Sequence, residues 1–146
     1  MKSDYLKYWR PIKYFIKRKY GVSETNLDIL LFLYSEKYFM LSDLRKYNEI
    51  VPWCRERFDN LLRDGFVEVF RDFPEKRGRI YRLTRKSTRM IASLYSKLEG
   101  NDIPMTYGNN PMFKKKTKYT DKVYRNYIKE LNEKRKQERF SDNDGL

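Results

Sequence analysis

The chain has 146 residues, enough for one domain with appendages, and its 33 Lys and Arg outweigh 20 Asp and Glu to a net charge of +13. Histidine is absent and Cys54 is the single cysteine, which excludes an internal disulfide, a Cys/His zinc site and imidazole-based catalysis. No apolar run approaches the roughly 20 residues of a membrane span, and the charged start Met1-Lys2-Ser3-Asp4-Tyr5 lacks a signal-peptide core, so a cytoplasmic protein without membrane contact is expected.

Residues 4–20 read as a helix with an apolar stripe of Tyr5, Tyr8, Trp9, Ile12, Phe15, Ile16 and Tyr20. Pro11 either opens its regular part or kinks it, and Gly21 stops it. Ser23 or Thr25 caps a second helix through about Lys37, with Leu27, Leu30, Leu31 and Tyr34 at core spacing. Phe39-Met40-Leu41 reads as a very short strand, and Ser42 as the cap of a helix over residues 43–47. After a turn bracketed by Asn48 and Pro52, a further helix begins near Pro52 or Trp53. It runs to Asp64 and ends on Gly65.

Two β-rich runs, 66–70 and 79–83, flank a polar loop with Pro74 and Gly78. Thr84 caps a helix over 85–98 in which Met90, Ile91, Leu94, Tyr95 and Leu98 recur at helical spacing. Residues 100–111 hold Gly, Asn and Pro without periodicity. Lys114-Lys115-Lys116 leads into a final helix of about 121–139, striped by Val123, Tyr124, Tyr127, Ile128 and Leu131, and residues 141–146 are expected to fray. The expected fold is mainly α with a small β-hairpin (α+β), a winged helix-turn-helix with extra terminal helices. The division is an N-terminal helix (1–20), a helix-turn-helix and hairpin domain (21–100), a basic linker (101–118) and a C-terminal helix with its tail (119–146).

Charge is unevenly placed. Residues 1–20 carry seven basic side chains against one acidic, and residues 71–89 carry eight against two. The rest of the 21–99 stretch is slightly acidic. A field concentrated on a hairpin and both ends suits a polyanion partner, with general solubility as the alternative reading.

Several pieces in register resemble the MarR family of winged-helix transcription regulators, over roughly residues 22–100. Val22-Ser23-Glu24-Thr25 with Ile29-Leu30 resembles the family's entry into its second helix, and Leu41-Ser42-Asp43-Leu44 its "LT-x-x-EL" step. Phe58 to Val67 is similar to the end of a recognition helix and its "Leu-x-x-x-Gly-Leu-Val" exit. Glu75-Lys76-Arg77 is similar to the wing's "Asp-x-Arg", followed at the family spacing by Leu83-Thr84. The chain departs from the pattern at Glu75, at Lys46-Tyr47, at Arg57, and at Trp53 and Cys54. The resemblance implies a dimer built by the terminal helices, a recognition helix (53–64) in the major groove and a wing (71–82) near the minor groove. Glu75 would orient Arg77, as the family's acidic residue does.

On that recognition helix Cys54, Phe58, Leu61 and Leu62 fall at core spacing, leaving Trp53, Arg55, Glu56, Arg57, Asn60 and Arg63 toward solvent or DNA. Arg can bridge guanine O6 and N7, and Asn can do the same on adenine, so Arg55 and Asn60 are the candidate base readers. The competing reading is a solvated face with i,i+4 pairs such as Arg55–Asp59. Lys76, Arg77 and Arg79 would occupy the wing tip, and Arg71, Arg82, Arg85 and Lys86 could touch phosphates. The helical phase of Cys54 predicts an inert buried thiol rather than a redox sensor. Lys114 to Lys118 read equally as a DNA-contacting arm or a solvated linker.

The expected protein is a homodimeric regulator of double-stranded DNA, nucleoid-associated, or in a host cytoplasm if phage-encoded. The alternatives are a non-sequence-specific architectural or replication-associated winged-helix protein and a winged-helix protein-interaction module. No nucleophile–base set, phosphate-binding glycine loop or metal cluster is evident, so neither enzyme, cofactor nor metal is expected. Nothing in the residues supports a small-molecule effector.

Overall fold

The computed structural model describes residues 5–144 apart from Pro52 and Arg77. The chain is mainly α-helical with one small antiparallel hairpin, the α+β class expected from the sequence. It divides into two compact units, Val22–Ala92 and Met1–Gly21 with Ser93–Leu146.

The terminal unit begins with α1 (Tyr5–Tyr20), which buries Ile12, Phe15 and Ile16 on one stripe at the i, i+3, i+4 spacing. Pro11 lies inside this helix rather than at its start, and removes one bond from its ladder. Gly21, at φ +65°, closes it with an N–H bond to the Lys17 carbonyl (3.0 Å). The last helix is α6 (Tyr119–Asp144), longer at both ends than the sequence suggested, so the expected fraying at 141–146 is corrected as far as Asp144. Its first turn carries Asp121, whose fully buried carboxylate accepts bonds from the Tyr14 hydroxyl, the Thr117 hydroxyl and the Arg18 guanidinium (2.9 and 3.1 Å). Tyr14 also stacks on Tyr124 with ring centroids 4.1 Å apart.

Residues 101–118, which read as a linker, are mostly exposed but anchored at a few buried positions. Asn132 of α6 exchanges two bonds with the backbone of Ile103 (3.0 and 2.8 Å), while Asn110 caps a single 3₁₀ turn, Pro111–Phe113. Ile103 and Met112 are buried. Side-chain amides thus hold a segment that has no α-helix or strand of its own. Arg135, in the charged part of α6, is buried too and donates to the Asn101 carbonyl.

In the central unit Ser23 caps α2 (Glu24–Leu33) by accepting from the Asn26 N–H (3.2 Å). Leu27, Ile29, Leu30 and Leu33 are buried, so the helix is apolar on most sides, though it ends short of Lys37. Phe39 forms one bridge to Tyr81 rather than a strand. The next helix, α3 (Leu41–Arg45), starts earlier than residue 43. Its cap is Met40 instead of Ser42, because the Asp43 carboxylate accepts from the Met40 N–H (2.8 Å).

Next, α4 (Arg55–Arg63) begins after Cys54, two residues beyond Trp53; Pro52 lies outside the described residues. Gly65, at φ +80°, ends it. The hairpin is β1 (Val67–Phe73) paired with β2 (Gly78–Leu83), joined through a 3₁₀ turn, Pro74–Lys76. Its register slips between Val69 and Arg71, so Phe70 is the extra residue of a bulge. Finally α5 (Arg85–Leu98) carries residues of both units. Its start is tied to the α4 exit, where Thr84 Oγ1 donates to the Gly65 carbonyl (2.7 Å) and the buried Ser87 hydroxyl to the Phe66 carbonyl (2.6 Å).

Burial alone would raise the Asp121 carboxyl, but the bonds from Thr117, Tyr14 and Arg18 outweigh it and hold the group below its ordinary value. A carboxyl more acidic in the folded than in the unfolded chain contributes stability above the unfolded value, about pH 4, and loses it as pH falls through the native one. Asp121→Asn is therefore expected to lower stability by about 1–3 kcal/mol near neutrality. Urea unfolding at several pH values should also show a shallower acid limb in the variant than in the wild type.

Candidate nucleic-acid interface

The floor of the central unit's surface is set by three aromatic rings. Phe58 of α4 meets Tyr81 of β2 edge to face (4.9 Å, 86°), and Phe39 lies 6.2 Å from Tyr81 and 6.5 Å from Phe58. Phe58 and Phe39 are buried at the helix phase and bridge position that the apolar pattern requires. This contact fixes how far the hairpin stands from α4, and hence the width of the groove between them.

That groove, about 640 Å³, runs between α3, the start of α4 and the base of the hairpin. Three guanidinium groups border it, from Arg45, Arg55 and Arg79, together with Ser42 and one carboxylate, Asp72. Gly78 closes its floor, and a Cβ there would come within 3.3 Å of Met40 Cε. Arg79 faces Asp72 across the hairpin (3.5 Å), and Arg55 pairs with Asp59 one turn along α4 (3.1 Å). All four side chains are about half exposed, and such pairs are worth only about 0–1 kcal/mol each. A polyanion could therefore take the place of either carboxylate at little cost. Cys54, the N-cap of α4, makes no side-chain bond to its first N–H groups.

The remaining candidates are spread over three places. Glu56 is exposed on the first turn of α4, Arg57 and Asn60 are half-buried, and Arg63 at its end pairs with Asp64 (3.3 Å). Glu75 and Lys76 are exposed in the hairpin turn, and Arg77 lies outside the described residues, as does any bond it makes with Glu75. Arg71 and Arg82 sit on the outer hairpin around Phe70, with Arg82 also paired to Glu68 (2.8 Å). Lys86 donates to the Asp64 carbonyl (3.2 Å) and lies over the Phe66 ring.

Two expectations need correction. Cys54 is exposed, because the helix starts one residue after it and its helical phase no longer applies. Trp53 is half-buried, with its indole N–H buried and lacking a hydrogen-bond partner among the described residues. It does not present an open edge. Arg45 was missed: in the sequence it is one more charge on a short helix, and only the packing of α3 beside the hairpin turns it toward Arg55 and Arg79.

Set against models of protein families, curated proteins and solved structures, the chain matches none. Phe58→Ala is expected to cost about 3–5 kcal/mol in urea unfolding, since it removes a fully buried ring. A loss below 1 kcal/mol would mean that the three rings do not hold the groove.

Proposed function

We propose that this protein is a cytoplasmic, dimeric DNA-binding transcription regulator of the winged-helix kind, similar to MarR regulators. The observation that carries this reading is the convergence of Arg45, Arg55 and Arg79 on one groove between α4 and the hairpin. A duplex strand laid in that groove would meet three guanidinium groups and the N-terminal end of α4, where helix N–H groups favour phosphate. The order of helices, hairpin and basic turn supports the same reading, in which α4 enters the major groove and the wing tip, with Lys76 and Arg77, the neighbouring minor groove.

Base reading falls to Arg55 and Asn60, with Glu56, Arg57 and Arg63 on the same helix. Arg55 must exchange Asp59 for a base edge. Asn60 is half-buried, which narrows its reach. Those two facts favour, as the second reading, a DNA-architectural protein that grips phosphates with little sequence preference. Binding to random and selected duplexes across a salt series separates the two, because equal affinities with a steep salt slope belong to the architectural protein.

Dimerisation rests on the terminal unit. There α1 and α6 border an open groove of about 570 Å³, walled mostly by Tyr8, Pro11, Val123, Tyr124, Tyr127 and Leu131, with Lys7, Arg10, Glu130 and Lys134 also lining it. Leu6, on α1, is 89% exposed and Tyr127 60%. Apolar surface of this kind is a partner surface, and two-fold pairing is the commonest way to cover it. Light scattering at micromolar concentration should give twice the chain mass of 18.0 kDa.

Arg55→Ala and Arg79→Ala are each expected to weaken duplex binding by about 1–2 kcal/mol, read by fluorescence anisotropy. Asp72→Asn, which frees Arg79 and removes a negative charge from the groove, should tighten it several-fold. Unchanged affinity in both arginine variants would remove the groove from the duplex interface.

A further inference from the structure

On the outer face of the hairpin lies a second groove, of about 500 Å³, bordered by Ser35, Lys37, Tyr38, Arg82 and Thr88. Tyr38, in its wall, stacks on Phe70 beside the groove, with centroids 4.3 Å apart and planes 25° from parallel. Both rings remain open to solvent, at 41% and 37%. The Phe70 side chain is there because of the bulge, which inserts it as an extra residue between the paired Val69 and Arg71.

Cations surround the rings. The Arg82 guanidinium lies 4.9 Å from the Phe70 centroid, the Arg71 guanidinium 5.7 Å from it, and the Lys37 ammonium 5.7 Å from the Tyr38 centroid. Two carboxylates stand nearby, Glu68 paired with Arg82 and Glu36 on the groove's rim. Exposed aromatic faces set among cations bind unpaired bases, with the rings taking the base and the cations the phosphates. A closed duplex cannot use this groove, since its bases are already stacked on one another. An apolar protein segment would bury the Lys37 ammonium and the Arg82–Glu68 pair against apolar surface, at a desolvation cost.

We propose that the groove at Tyr38 is a second nucleic-acid site, which stacks an unpaired base of single-stranded DNA on Tyr38 and holds its phosphates with Lys37 and Arg82. This rests on the reading that the protein binds DNA. The choice of DNA follows the duplex reading: β2 supplies Arg79 to that groove and, from its opposite face, Arg82 to this one.

The test uses the full chain with two labelled probes in fluorescence anisotropy, an oligo-dT of about 12 nucleotides and a duplex. Tyr38→Ala should weaken oligo-dT binding about tenfold and leave duplex binding within about twofold, while Tyr38→Phe keeps both. Circular dichroism and a thermal melt report whether the alanine variant is folded. Should it unfold, Lys37→Glu reads the same groove through charge and is expected to weaken oligo-dT selectively. Duplex binding without oligo-dT binding overturns the second site alone, as does oligo-dT binding that ignores both substitutions. Absence of binding to either probe overturns the DNA reading and the second site together.

Discussion

The contact on which the candidate interface depends is the meeting of Phe58 and Tyr81. An aromatic ring from α4 presses edge to face on a ring from β2, and the Phe39 backbone holds Tyr81 from the other side through a reciprocal pair of bonds (3.0 and 2.8 Å). Aromatic pairs of this geometry add about 0.5–1.5 kcal/mol beyond the apolar area they bury. More important is their rigidity. The hairpin has only two strands, which is marginal alone in water, so its position is borrowed from α4 and from the Phe39 bridge. The Thr84 and Ser87 hydroxyls secure the same junction from the α5 side by binding the carbonyls of Gly65 and Phe66.

On this frame the charges are balanced locally while the surface stays basic. Arg55, Arg63, Arg79 and Arg82 each have a carboxylate within 3.5 Å. In the absence of a partner these pairs relieve repulsion among cations that the fold crowds together. The bulge at Phe70 has a double effect, since it ends the regular pairing and turns one aromatic residue to the outer face.

The terminal unit solves a different problem. Its helices are rich in charge, and Lys and Arg cannot build a core. Ile12, Phe15, Ile16, Ile128 and Leu131 build it, and one buried carboxylate ties its edge: Asp121 gathers Tyr14, Thr117 and Arg18, and Tyr14 stacks on Tyr124. Burial of the phenol and its bond to Asp121 push the Tyr14 hydroxyl above its ordinary pKa, so it stays protonated as a donor.

Read by itself, the sequence determined the elements and their order. The i, i+3, i+4 stripes of Ile12, Phe15 and Ile16 and of Leu27 and Leu30 specify α1 and α2, Gly21 and Gly65 the ends of α1 and α4, and the paired β-rich runs the hairpin, because backbone geometry and apolar periodicity act over a few residues. Element ends were less legible. Asp43 reaching back to Met40 moved one start, and α4 began after Cys54 rather than before it. What only the tertiary structure decided was which side chains share a place. Arg45 joins Arg55 and Arg79 because α3 packs beside the hairpin, and Tyr38 meets Phe70 because a bulge alters the register. The anchoring of Ile103 depends on Asn132, 29 positions away. Such meetings are set by contacts distant in the chain, and no local pattern encodes them.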